Sequence, residues 1–187
     1  MNQPETFYAY HVVTERPMAV GQVICFDETH HSGVWQRVME KAALVQDIYA
    51  HPQQYDGNRL EHHTAVALRE LALEEVRKTD YPQFPSRLAC LYVSDTPEEA
   101  RQWENYFIKL RRPVFGIVKL KITGHRFAAD ANNCFTPSLY REENLRLAHR
   151  YWLNLPNLQQ EPPIREILAD GVITVIGKLA AFTDNSL

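Results

Sequence analysis

The chain has 187 residues, a length that favours one domain with a hydrophobic core large enough to need no disulfide bonds. Apolar residues make up 45% and charged residues 23%, and the net charge of −3 gives no overall attraction to nucleic acid or anionic lipid. No apolar run reaches membrane-spanning length and the first residues lack a signal-peptide pattern, so we expect a cytoplasmic protein that contacts no membrane. Three widely spaced cysteines, Cys25, Cys90 and Cys134, indicate reduced thiols.

The N-terminal part of the chain predicts two strands followed by two helices. Aromatic and β-branched residues predict a strand over residues 7–14, and a second short apolar run predicts one over residues 22–26. Apolar residues at spacings of three and four predict helices over residues 34–49 and 60–76.

The clearest local pattern is a strand that leads into a capped helix. The apolar run over residues 88–93 predicts a buried strand. Thr96, Pro97 and Glu99 then match an N-cap, a first helical position and the third residue of a capping box. The apolar face of this helix, which we expect to pack on the sheet containing residues 88–93, consists of Ala100, Trp103, Phe107 and Leu110.

The C-terminal part predicts further strands around one helix. The predicted elements are a strand over 114–123, a loop over 127–135, a helix over 137–152, an irregular segment over 155–163 and strands over 164–168 and 172–179. Alternation of apolar residues with Lys119 and Lys121 predicts that the second half of the strand over 114–123 has one face in water. This order of elements indicates an α+β fold, and we expect a single domain over residues 1–187.

Several kinds of active site are disfavoured by the residue patterns. Adjacent histidines point in different directions, so neither doublet, at 30–31 or 62–63, can easily place both rings on one ion. A metal site would need one histidine from each doublet and a carboxylate such as Asp27 or Glu28. We therefore predict no metal site, and a metal-dependent hydrolase is the least favoured alternative. The glycine-rich phosphate loops and the Gly-x-Ser-x-Gly nucleophile turn are absent from the sequence.

Three short segments carry a family resemblance. YHVVT over residues 10–14, LYVS over 91–94 before the capped helix, and REILADG over 165–171 occur in the order found in ADP-ribosyltransferases of the His-Tyr-Glu group. Nearly the whole chain also resembles a bacterial family of unknown function. The transferase resemblance implies split, antiparallel-rich sheets with helices packed around them.

Residue by residue, the transferase resemblance implies that His11, Tyr92 and Glu166 are catalytic, with Ser94 as an alternative second member. Cleavage of the glycosidic bond of NAD develops positive charge on the ribose, so a carboxylate must face that sugar. Glu166 would accept a hydrogen bond from a ribose hydroxyl, Tyr92 would stack on nicotinamide and His11 would bind the adenosine-side ribose.

The resemblance also implies that NAD is the co-substrate. Val12 stands where many of the resembled enzymes have glycine, which puts a backbone contact to nicotinamide in question. For the arginine that begins the central strand there are two predictions, contact with the NAD phosphates or a salt bridge with Glu70 or Asp130. The residues implied in NAD binding are His11, Val12, Tyr92, Ser94 and Arg87.

The residue two positions before Glu166 bears on the acceptor. Transferases that modify arginine commonly carry a second glutamate there, but this chain has Ile164. We therefore expect a mono-ADP-ribosyltransferase that acts on a protein or nucleic-acid acceptor other than arginine, or a glycohydrolase that transfers to water. The alternative function is a non-catalytic module that binds a nucleotide, ADP-ribose or a partner and keeps the fold.

Overall fold

The computed structural model describes residues 3–179, and the ends of the predicted domain, residues 1–2 and 180–187, lie outside it. In chain order the elements are β1 (Glu5–Val13), β2 (Val23–Phe26), α1 (Gly33–Glu40), α2 (Ala42–Ala50), α3 (His62–Asp80), β3 (Leu91–Val93), α4 (Pro97–Lys109), β4 (Gly116–Gly124), β5 (Arg126–Asp130), α5 (Arg141–Trp152), β6 (Arg165–Ala169) and β7 (Gly171–Lys178). Single 3₁₀ turns follow α2 and β5.

The strands form two antiparallel sheets. The first sheet has the order β1-β4-β7-β2 and the second has the order β3-β6-β5. An isolated antiparallel bridge between Tyr10 and Ser94 joins the middle of β1 to the end of β3. The two sheets are therefore connected at the point where β3 leads into α4.

The main core lies between the two sheets. Leu120 and Ile122 of β4 are fully buried there, against Ile167 and Ala169 of β6. On the other face of β4, Lys119 and Lys121 are exposed, so the predicted strand with one wet face is confirmed. The period of two in a strand explains this alternation, because successive side chains point to opposite faces.

Two long helices cover the outer face of the second sheet. Leu73 of α3 and Trp152 of α5 are buried against Phe127 and Leu168. The indole Nε1 of Trp152 donates to the Leu73 carbonyl at 2.8 Å, so the one polar group of this ring is satisfied in the core. Helices α1 and α2 pack farther along α3 and extend the same layer.

Helix α4 begins as predicted but packs on the other sheet. Thr96 Oγ1 accepts a hydrogen bond from the Glu99 amide at 3.2 Å, which confirms the predicted N-cap. The prediction that its apolar face packs on the sheet of β3 is wrong, because Ala100 lies against Val12 and Ile117 of the first sheet. The Tyr10–Ser94 bridge is the reason, since it delivers the chain to the edge of that sheet just before the helix begins.

Three differences between the predicted elements and the structure have a clear physical reason. The helix predicted over 34–49 is divided at Lys41, whose amide bonds to Val38 in a tight turn, and the division lets both pieces bury residues against α3. The strand predicted over 88–93 starts only at Leu91, because the Leu88 carbonyl accepts from the Ser32 amide and hydroxyl.

The third difference is strand β5, which lies where a loop over 127–135 was predicted. Phe127 and Ala129 are buried while Arg126 and Ala128 are exposed, and this short alternation is typical of a strand with one face in the core. The loop prediction rested on the polar residues that follow. They form the 3₁₀ turn, in which Asp130 accepts from the Asn132 amide at 3.0 Å.

The described chain is an α+β unit of two antiparallel sheets and five α-helices. Within residues 3–179, the helices all fall short of the length and apolar character that crossing a bilayer requires.

Candidate active site

The predicted catalytic residues lie on three strands that meet beside the bridge between the sheets. Tyr92 pairs with Leu168 in the β3–β6 ladder, so residues of β6 on the Leu168 side share a face with Tyr92. Glu166 is two residues before Leu168 and therefore lies on that face, which is turned toward α3 and α5. His11 lies on β1, next to the Tyr10–Ser94 bridge.

His11 is joined directly to the strand that carries Tyr92. Its Nδ1 atom lies 2.7 Å from the Tyr92 carbonyl oxygen, and because a carbonyl only accepts, Nδ1 carries the hydrogen. Burial lowers the pKa of His11 below its ordinary value, against the raising effects of this hydrogen bond and of Glu15. His11 is therefore a neutral imidazole near pH 7, with Nε2 as a hydrogen-bond acceptor.

Arg87 is the centre of a buried polar cluster. Its Nε donates to Glu70 Oε2 at 2.9 Å, and its Nη1 donates to Glu166 Oε1 and to the Tyr151 hydroxyl, each at 2.7 Å. Its Nη2 donates to Glu70 Oε1 and to Cys134 Sγ, each at 3.4 Å. All five guanidinium N–H groups therefore have acceptors.

Glu166 is held through one of its two carboxylate oxygens. Oε1 accepts from Arg87 and from the Tyr151 hydroxyl, which lies 2.7 Å away. Oε2 takes part in no hydrogen bond among residues 3–179. The residue is only 7% exposed, so its carboxylate is fixed in a nearly dry environment with one oxygen unpaired.

The charges of the cluster balance. Glu70 on α3 accepts from Arg87 and from Arg69, whose Nε lies 3.1 Å away. Burial raises the pKa of Glu70, but the two arginines outweigh burial and lower it overall. Two carboxylates and two guanidinium groups therefore compensate one another, as buried charges require. Glu70, Arg87 and Glu166 are buried, and Arg69 is half-buried.

Tyr92 completes the cluster through its ring. The Arg87 guanidinium carbon lies 5.3 Å from the centre of the Tyr92 ring and 4.8 Å from that of Tyr151, which is within cation–π range. Burial raises the pKa of the Tyr92 hydroxyl well above its ordinary value, so this group is protonated at neutral pH. The hydroxyl takes part in no hydrogen bond among the described residues.

The remaining predicted binding residues occupy different positions. Ser94 is buried and bonds through its backbone to Tyr10, at 2.8 and 2.9 Å. Val12 faces away from the cluster and packs against Ala100 of α4. Arg87 forms the predicted salt bridge with Glu70. Asp130, the other predicted partner, bonds instead to the turn residues of its own segment and to Asn157.

Two members of the cluster, Tyr151 and Cys134, were not identified from the sequence. Tyr151 stands inside the helix predicted over 137–152, and its partners in the cluster lie 15 and 64 residues away. Cys134 is half-buried. Desolvation raises its pKa in spite of the nearby Arg87 and Arg69, so it is a neutral thiol that accepts from Arg87. Neither residue stands in a local pattern that spacing alone could detect.

Two small cavities lie away from the cluster. A shallow cavity of about 20 Å³ lies between α5 and the 3₁₀ turn, and another of about 60 Å³ lies beside Phe115 and Lys178. Neither is lined by His11, Tyr92 or Glu166. Glu166 Oε2 retains some contact with solvent, since the fully buried side-chain atoms without a partner among residues 3–179 do not include it.

Fold and site together define an α+β protein of two bridged antiparallel sheets, in which a charge-balanced cluster of arginine, glutamate and tyrosine lies between the second sheet and the helices that cover it. The chain belongs to the family described as Protein of unknown function (DUF2441), whose model matches residues 9–181. This confirms the predicted resemblance of nearly the whole chain to a family of unknown function. No curated protein matches the chain.

Proposed function

We propose that the protein transfers ADP-ribose from NAD to an acceptor other than arginine. One observation carries the proposal: Glu166 is held by Arg87 and Tyr151 through Oε1, while Oε2 has no partner among residues 3–179. A carboxylate oriented in this way can accept a hydrogen bond from a sugar hydroxyl without reorganising, which is the requirement for stabilising positive charge in a transition state.

In the proposed reaction the bond between nicotinamide and C1′ of the ribose breaks, and its electron pair leaves with neutral nicotinamide. Glu166 stabilises the positive charge that develops on the sugar, because its own charge is close and poorly screened in a dry site. The acceptor then forms a bond to C1′ and loses its proton to solvent. Tyr92 supplies an aromatic surface for the leaving group, and neutral His11 offers Nε2 to a ribose hydroxyl.

The surroundings of Glu166 support an acceptor other than arginine. Ile164 is 45% exposed two positions before Glu166 and contributes no charge. The two carboxylates that contact Arg165, the neighbour of Glu166, are Glu99 of α4 at 3.4 Å and Asp95 at 2.6 Å, and both are engaged by this pairing. No free carboxylate among these residues is left to orient a guanidinium acceptor.

Release of nicotinamide by the purified protein tests the proposal. Glu166→Gln keeps the size of the side chain and an oxygen for Arg87, but it removes the charge. We expect NAD to bind with little change by calorimetry, and nicotinamide release to fall by about 100-fold or more. Glu98→Gln, an exposed glutamate of α4, is the matched control and should retain full turnover. Equal turnover by Glu166→Gln and wild type would refute the proposal.

A second function is favoured by the charge balance of the cluster. A module that binds NAD, ADP-ribose or a partner without turnover needs Glu166 only as a structural partner of Arg87. This function predicts NAD binding with no nicotinamide release from any variant. The same calorimetric and turnover measurements therefore separate the two functions.

A further inference from the structure

A second group of reactive side chains lies at the far edge of the first sheet. Cys25 is in β2, and Asp27 and His30 are in the turn that follows it. One potential ligand atom from each of the three residues lies within 4.8 Å of the other two. Because the order of the sheet is β1-β4-β7-β2, this group is at the opposite edge from His11 and is separate from the Arg87 cluster.

Two of the three side chains, those of Cys25 and His30, already contact the carboxylate of the third, Asp27. Cys25 Sγ donates to Asp27 Oδ2 at 3.6 Å, and His30 Nδ1 lies 2.8 Å from Oδ1 and 2.9 Å from Oδ2. In a tetrahedral zinc site, bond lengths of about 2.3 Å to sulfur and 2.0 Å to oxygen separate these two ligands by about 3.5 Å. The thiol and the carboxylate are therefore already at the separation that a shared ion requires.

His31, the neighbour of His30 in the first doublet, does not contact Asp27. His31 stacks on Trp35 with ring centres 4.4 Å apart, which turns it away from Asp27. The sequence predicted no metal site because neither doublet can chelate an ion by itself. The fold adds a donor which that reasoning did not include, since β2 brings Cys25 to His30.

We propose that Cys25, Asp27 and His30 form a binding site for one zinc ion. Thiolate, carboxylate and imidazole are the ligand types that zinc takes in proteins, and three protein ligands leave a fourth position for water. On binding, the Cys25 thiol loses its proton to solvent, and the thiolate and Asp27 together offset the two charges of the ion. The imidazole of His30 is 63% exposed, so it can rotate to present either ring nitrogen.

Cobalt(II) is the probe for this site, since it occupies zinc sites and gives an absorption band when a thiolate binds it. We expect the purified full-length chain to bind one cobalt ion with a thiolate-to-cobalt band, and zinc to displace it. Cys25→Ser should abolish the band, and His30→Ala should weaken cobalt binding at least about tenfold. The matched control, His31→Ala, should bind cobalt as the wild type does.

Folding of each variant is checked by its thermal transition without metal. Zinc should raise the transition temperature of the wild type and of His31→Ala, but not that of Cys25→Ser. The proposal is overturned if wild-type protein shows no thiolate band, or if Cys25→Ser binds cobalt with unchanged affinity. Neither measurement involves NAD, so the result stands independently of the proposed transferase activity.

Discussion

Arg87 Nη1 lies 2.7 Å from Glu166 Oε1, although the two residues are 79 positions apart in the chain. The pair connects the segment before β3 to the start of β6, and Glu70 connects both to α3. A single guanidinium group thus links three elements and orients the carboxylate on which the proposed chemistry depends. Its removal should affect both stability and turnover.

Replacing Arg87 with methionine tests its structural role. Methionine fills much of the same space, but Glu70 and Glu166 lose their partner in a dry region. We expect the free energy of unfolding to fall by about 3–5 kcal/mol, measured by urea denaturation. The control is Arg146→Met, which breaks an exposed ion pair with Glu143 and should hardly change the urea midpoint. A small effect of Arg87→Met would mean that the buried carboxylates are solvated in solution.

Replacing Tyr151 with phenylalanine removes one hydroxyl and keeps the ring. The hydroxyl donates to Glu166 Oε1 and accepts from Arg87 Nη1, so both charged groups lose a buried hydrogen-bond partner. We expect a loss of about 1–3 kcal/mol in urea denaturation. Tyr140→Phe alters an exposed tyrosine at the start of α5 and should change stability by less than about 0.5 kcal/mol. Equal effects of the two variants would contradict the arrangement.

The pH dependence of stability tests the environment of His11. Burial holds its pKa in the folded protein below the value of about 6.5 expected in the unfolded chain. Its contribution is therefore fully present above pH 6.5 and is lost as the pH falls toward the folded pKa, because the unfolded chain takes up the proton first.

We expect the stability of the wild type to fall below pH 6.5 more steeply than that of His11→Gln, with a difference of at most about 1.4 kcal/mol per pH unit. Proton NMR of the imidazole gives the midpoint directly. His62→Gln, at an exposed position on α3, should follow the wild-type curve. A His11 midpoint at or above 6.5 would show that the ring is solvated.

The tight turn between β6 and β7 provides a test of the backbone. Gly171 has φ +81°, and a Cβ there would lie 2.3 Å from the Thr123 carbonyl oxygen. Gly57 has a similar φ of +73° with nothing within 4 Å of its Cβ position. Gly57→Ala should therefore cost about 1–2 kcal/mol, the strain of a left-handed residue. Gly171→Ala adds a backbone clash and should cost roughly 3 kcal/mol or more, compared by thermal unfolding.

Local signals explain the parts of the fold that the sequence predicts well. The cap of α4 depends on Thr96 and Glu99, three residues apart, and the structure forms that hydrogen bond. Strand β5 was missed because its alternation covers few residues and is followed at once by polar turn residues. The packing of α4 on Val12 was also missed, since amphipathic spacing shows that a helix has a buried face but not which sheet covers it.

The sequence likewise predicts only part of the candidate site, namely the residues that stand in short local motifs. The positions of His11, Tyr92 and Glu166 came from short motifs in a recognisable order. Their surroundings depend on contacts across 17 to 79 residues, centred on Arg87. No periodicity or spacing rule connects such positions, because the packing of α3 and α5 on the second sheet brings them together.

The Tyr10–Ser94 bridge is a short backbone link between the two sheets. Its two backbone hydrogen bonds, of 2.9 and 2.8 Å, lie beside His11 in the first sheet and in line with Glu166 in the second. Any sliding of one sheet past the other separates His11 from Glu166 and exposes the Tyr10 and Ser94 amides together. Hydrogen–deuterium exchange at those two amides therefore reports movement of one sheet relative to the other.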